Sequence, residues 1–153
     1  MKNSSMLFAI TALVLGALSG AALADEIDIT QALIENTDIE NVAHDLSLGN
    51  ASSGHLAEAT ASWTPGEETI TLRAKLRLHN KHQQCVLHNC WDIYNYWVNI
   101  RVEAELRDCR VARIDVSSEN ELYKIPAELA TVLGSMVNGL RGGTVLKGMP
   151  GCD

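Results

Sequence analysis

The chain has 153 residues, with 12 Lys plus Arg against 19 Asp plus Glu and a formal net charge of −7 at pH 7. That acidic balance argues against nucleic acid and anionic lipid surfaces as partners, because both recruit clustered positive charge. It is compatible with a basic protein partner or a cation, and with a charge that only keeps the protein in solution.

Residues 1–24 have the form of a secretory signal peptide. Lys2 is the only charge, Met6 to Leu18 is a short apolar run, and Ala22-Leu23-Ala24 is a small-x-small cleavage site before Asp25. The run is shorter than the roughly 20 residues of a membrane helix, and no later stretch is long enough either. No cysteine stands at the cleavage point to carry a lipid. The expectation is cleavage after Ala24 and release into the periplasm or outside the cell, not an integral membrane protein. Residues 25–153 then form a single exported domain, long enough for its own core. In an oxidising compartment the four cysteines should pair, with three possible connectivities.

Residues 25–48 are acidic, and Ile39, Val42, Ala43 and Leu46 fall at helical spacing behind Thr37 or Asp38 as a cap. An N-terminal helix is expected there, and Gly49 to Gly54 reads as a loop. His55–Trp63 alternates, with Ala57, Ala59, Ala61 and Trp63 on one side, and Thr64-Pro65-Gly66-Glu67 marks a turn. Glu68–His79 alternates without a fault. Ile70, Leu72, Ala74, Leu76 and Leu78 face one way, opposite Thr71, Arg73, Lys75, Arg77 and His79. This is an antiparallel strand with one wet face.

A third strand is expected from near Trp91 to Leu106, with Tyr94, Tyr96, Val98, Ile100, Val102, Ala104 and Leu106 inward. At ~3.3 Å per residue it would be about 50 Å long, so it must twist strongly or bend at a bulge. A turn at Arg107–Arg110 leads to a fourth strand, Val111–Ser117, with Ala112, Ile114 and Val116 inward. Pro126 opens a C-terminal helix whose apolar stripe is Leu129, Val132, Leu133, Met136, Val137 and Leu140, ended by Gly142-Gly143. Burial of these one-sided elements gives an α+β domain: about four antiparallel strands, the amphipathic C-terminal helix on one face, and the N-terminal helix. The inner-face alanines either let a helix approach closely or leave room for an apolar ligand. The chain after residue 24 has no Phe to fill such a space.

Between His79 and Cys90 the chain packs His79, His82, Cys85, His88 and Cys90 into one connection between strands. Histidine and thiolate are ligands for zinc and copper, so a Cu or Zn site on His79, His82 and His88 is one reading. The other is a Cys85–Cys90 disulfide pinning the connection, with Cys109–Cys152 tying the C-terminal tail to the sheet. Loop entropy assigns roughly 2 kcal/mol to the short bridge and about 4 to the long one. A redox site wants CxxC at a helix start, and haem attachment wants CxxCH; neither occurs.

Trp91, Tyr94, Tyr96 and Trp97 follow the cluster, a plausible contact surface for a ligand or a partner. No GxSxG elbow, P-loop, GxGxxG after a strand or HExxH is present, so no catalytic residues are expected. The leading expectation is an exported non-enzymatic binding or accessory protein, needing no cofactor, that takes an apolar lipid-like ligand or a partner protein. The alternatives are an acidic inhibitor or immunity-type protein against a basic enzyme, and a periplasmic Cu/Zn-binding protein.

Overall fold

The computed structural model describes residues 23–152. The expected signal peptide, residues 1–24, lies outside them apart from its last two residues. The elements run β1 (Asp25–Asp28), α1 (Thr30–Asn36), α2 (Ile39–Leu46), β2 (Ser53–Trp63), β3 (Thr69–Val86), β4 (Asn89–Arg107), β5 (Arg110–Ser118) and α3 (Leu129–Gly139). The strands form one antiparallel sheet in the order β1-β2-β3-β4-β5, each paired with its sequence neighbours.

The sheet therefore has five strands rather than about four. The extra one, β1, has no apolar alternation to announce it; Asp25 to Asp28 are all exposed and are held only by pairing with Thr60 to Trp63. The expected N-terminal helix is α2, which follows Asp38, and a further short helix, α1, precedes it. The chain breaks at Thr37, whose hydroxyl donates to the Leu33 carbonyl at 2.7 Å and accepts from the Ile39 N–H at 3.3 Å. Such side-chain bonds compete with the helical ladder. The C-terminal helix starts three residues beyond Pro126, after a turn closed by the Leu129 N–H on the Pro126 carbonyl.

All three helices cover one face of the sheet. Leu33, Ile39, Ala43, Leu46, Leu129 and Leu133 meet Leu56, Ile70, Leu76, Leu78, Ile100 and Leu106 in one core. Close approach of α2 to β2 depends on Gly54: a Cβ there would stand 2.0 Å from the Ala43 carbonyl oxygen. The space between helices and sheet is about 40 Å3, lined by Leu33, Ile39, Leu72, Val102, Ala104 and Leu133 among others. The opposite face carries Arg73, Arg77, Arg101 and Glu103 and is open.

Two bulges shift the expected alternation. Between Leu56 and Glu58 the register of β2 slips, so Leu56 is buried and Ala57 is exposed, while Ala59 and Ala61 stay inside. Between Glu105 and Leu106 the slip leaves Ala112 exposed, with Ile114 and Val116 half-buried. A bulge adds one residue against its partner strand and reverses the parity beyond it.

The largest departure is at the His/Cys cluster. β3 does not end at His79 but runs on to Val86, and the connection is a two-residue turn, Leu87-His88, with Leu87 at φ +58°. β2 accompanies β3 only as far as His79, and β5 accompanies β4 only from Ile100. Residues 80–98 thus project as a two-stranded ribbon beyond the five-stranded body. Past Asn80 there is no core to demand an apolar alternation, so the polar run Lys81-His82-Gln83-Gln84 is as compatible with strand as with loop.

Candidate functional site

The ribbon collects the residues singled out in the sequence, and alternation distributes them over two faces. On the face left open by the helices, the Arg77 guanidinium sits 4.5 Å over the Trp97 ring, and Trp97 stacks on His79 at 4.3 Å and 8°. His79 Nε2 is 2.7 Å from Asn95 Oδ1, and the Asn95 amide donates to Asp92 Oδ2 at 2.9 Å. The Gln83 amide donates to Asp92 Oδ1 at 2.8 Å, and Lys81 Nζ stands 3.7 Å from the same oxygen. The hydrogen bonds from Gln83 and then Asn95 hold the Asp92 carboxyl below its ordinary range. Sequence-distant side chains are thereby ordered along one strip from Arg77 to Gln83.

On the other face His82 stacks on Tyr94 at 5.6 Å, and Tyr94 leans on Tyr96 at 5.9 Å. Both tyrosines share the face of Val98 and Ile100, as expected, but they are not buried. They lie beyond the end of the helix layer, and Tyr96 is 38% exposed. Tyr96 instead walls a groove of about 290 Å3 with Leu46, Leu48, Leu122, Tyr123 and Pro126. Tyr123 closes its floor, its hydroxyl donating to the Leu46 carbonyl at 2.7 Å, and burial pushes its phenol pKa up.

The end of the ribbon is pinned. Cys85 and Cys90 are direct cross-strand partners joined by a disulfide with Cα atoms 4.1 Å apart. The second disulfide, Cys109–Cys152, ties the tail to the β4–β5 turn, where both Asp108 and Cys109 have positive φ. These pairs are one of the three connectivities open to four cysteines. Val86 and Leu87 at the turn beyond the first bridge, and Trp91 and Ile93 on its body side, are exposed, Leu87 at 92%.

The three histidines do not converge. His79 belongs to the open face, His82 to the helix face and His88 to the turn, and no cysteine remains as thiolate. Among the described residues no group of three or more His, Cys, Asp or Glu side chains is placed to hold a metal ion.

Three features escape sequence reasoning. Asn80 continues the apolar series Leu72–Leu76–Leu78 on the core face and is fully buried; its Oδ1 accepts the Leu48 N–H at 2.7 Å, and its Nδ2 has no partner. A polar residue in register with a core series was the available signal. Asn50 docks on the main chain of Gln83 through both amide atoms, each at 2.7 Å. The open face of the sheet forms a shallow concavity of about 680 Å3 with Arg73 paired to Glu103 at 2.9 Å and Lys75 to Glu58 at 3.3 Å. Its charges are largely paired with one another.

No protein-family model matches the chain, and neither a curated protein nor a solved structure matches it.

Proposed function

We propose that this is an exported, non-enzymatic recognition protein that binds a partner protein through the β3–β4 ribbon. The observation that carries the proposal is the ribbon itself: a projecting, disulfide-pinned hairpin with Trp91, Ile93, Tyr96 and Trp97 exposed on a rigid scaffold. Aromatic side chains held in fixed rotamers bury large area at low entropic cost, which is why they dominate protein interfaces. Two disulfides and the leader-like residues 1–24 support an oxidising, exported setting. Among the described residues no helix is long and apolar enough to cross a membrane.

An apolar ligand between the helices and the sheet is disfavoured on volume. Pockets for such ligands are typically about 300–1,000 Å3, and the space under the helices is about 40 Å3. The net charge of −7 favours a basic partner, as an inhibitor of a basic enzyme would need.

Photo-crosslinking in the exporting cell tests the proposal. A benzophenone side chain at Trp91 or Trp97 is expected to give a discrete protein adduct, and one at Glu26 on the far edge of the sheet is not. No adduct at either tryptophan, or the same adducts at all three positions, would overturn it. Lipid adducts alone would reinstate the apolar ligand.

A further inference from the structure

Among the described residues the sheet exposes five stretches of strand edge, and four of them are blunted. The edge of β2 not paired with β1 is covered by α1 and α2: Glu40 accepts the Leu56 N–H and Thr30 the Ala59 N–H, each at 2.8 Å. β1 is four residues long and carries Asp25, Glu26 and Asp28. β5 carries Arg110, Arg113 and Asp115, and its Val111 N–H is taken by the Asn138 side chain at 2.9 Å. The β3 side of the ribbon is sealed by the loop after α2. Lys81 bonds Leu48 and Ala51 through its N–H and C=O, and the Asn50 amide occupies both main-chain groups of Gln83. Short length, charge and covering loops are the usual protections against pairing with foreign strands.

The fifth edge, β4 from Ile93 to Val98, has none of these. No charged residue and no proline occurs from Ile93 to Ile100, and β5 joins β4 only at Ile100. Hydrogen-bond parity shows which main-chain groups are open. The Glu119 N–H bonds the Asn99 carbonyl, so Asn99 turns its polar groups away from β3. Antiparallel pairing alternates every second residue, so Trp97 and Asn95 do the same. Lys81 gives an independent check: it turns its groups towards the sealing loop and is the partner of Asn95. The open N–H and C=O groups recur about every 6.8 Å, the two-residue repeat of a strand.

We infer that a strand of the partner adds to the β4 edge at Ile93–Val98, end to end with β5; this rests on the recognition function proposed above. The occupant is an extended segment of a basic protein with apolar side chains at alternate positions. Its side chains on the helix side run beside Tyr94 and Tyr96 and over the groove of about 290 Å3 next to Leu122. Those on the other side lie beside Asn95 and Trp97. Main-chain bonds then supply affinity and the groove supplies selectivity, while the charge of −7 steers a basic partner.

A second copy fits less well. Two β4 edges paired about a two-fold must keep each hairpin turn clear of the other's β5. That confines the axis to Asp92–Ile93 or nearer the turn, where the ladder is interrupted: His82 pairs with Tyr94 and Gln83 with Asp92, leaving Ile93 out.

The test uses the oxidised full chain and random peptides of about 12 residues displayed on phage. The tightest peptide is synthesised and N-methylated at each amide in turn. The expected result is apolar residues at every second position, and an affinity loss of about tenfold or more at alternate amides with little change between them. Trp97→Pro and Asn95→Pro, each removing an outward N–H but no β3 bond, are expected to weaken binding to a similar degree. The N-methyl scan uses the unaltered protein, so it decides even where a proline variant misfolds. Absence of alternation, or failure to enrich any peptide, overturns strand addition. Protein adducts at Trp91 or Trp97 alongside that failure would leave the recognition function standing; no adducts would remove both.

Discussion

Gly54→Ala tests the packing that positions the ribbon. A Cβ at residue 54 would lie 2.0 Å from the Ala43 carbonyl oxygen and 2.4 Å from its carbon, both main-chain atoms of α2. An ordinary carbon–oxygen contact is about 3.3 Å, so the helix must retreat by more than about 1 Å. A gap of about 1 Å forfeits up to half of the dispersion attraction across it. The buried side chains that α2 presses on the sheet include Ile39 and Leu46, each worth about 1.5–3 kcal/mol when fully buried. Half of that, with about 1–3 kcal/mol of strain from overpacking, gives a loss of about 3–5 kcal/mol. For a domain of this size that is a fall in Tm of about 10–20 °C. Urea unfolding of the oxidised protein, followed by far-UV circular dichroism, measures it. Gly134→Ala in α3 is the control: outside its own stretch of helix backbone no atom lies within 4 Å of the added Cβ, and a helix-interior alanine is worth up to about 1 kcal/mol. A loss below about 1 kcal/mol for Gly54→Ala, no larger than an average substitution, would refute the close-approach argument.

Further outcomes follow from the same structure. Replacing Cys109 and Cys152 by Ser is expected to cost about 4 kcal/mol and replacing Cys85 and Cys90 about 2, read by denaturant midpoint; hydrogen exchange should show the second loss confined to the ribbon. Tyr123→Phe removes a buried hydrogen bond to the Leu46 carbonyl and should cost about 1 kcal/mol, with faster exchange at Leu46–Leu48. The Asp92 carboxyl, depressed by Gln83 and Asn95, contributes order that is complete above the unfolded Asp value of about 3.9 and is lost as pH falls through its lower folded value. NMR of the Gln83 and Asn95 side-chain amides should show that transition, and Asp92→Asn should abolish it.

The body of the sheet was legible because one face is buried and the other is wet. The alternation from Ile70 to Leu78 directly encodes that difference, and all of its inward residues but Ala74 are buried. The four cysteines in a leader-bearing chain likewise point to paired bridges, and the fold selects one of three connectivities. Ala57 and Ala112 were misplaced because a bulge changes parity without changing composition. The stretch from Lys81 to Cys90 reads as a connection between strands because no core lies beneath it: Lys81-His82-Gln83-Gln84 pairs with Trp91–Asn95 through main-chain bonds that any side chain permits.

Local physics in the sequence therefore determined the core strands, the α2 and α3 stripes, the aromatic run and the staples. The tertiary structure alone decided where each of these ends up relative to the body. It separated His79, His82 and His88, carried Tyr94 and Tyr96 past the helix layer, and sealed one edge of the ribbon with Asn50 while leaving the other open. These outcomes depend on contacts between residues some 30 positions apart, such as Asn50 with Gln83 and Leu48 with Asn80, and periodicity along the chain carries no record of such pairings.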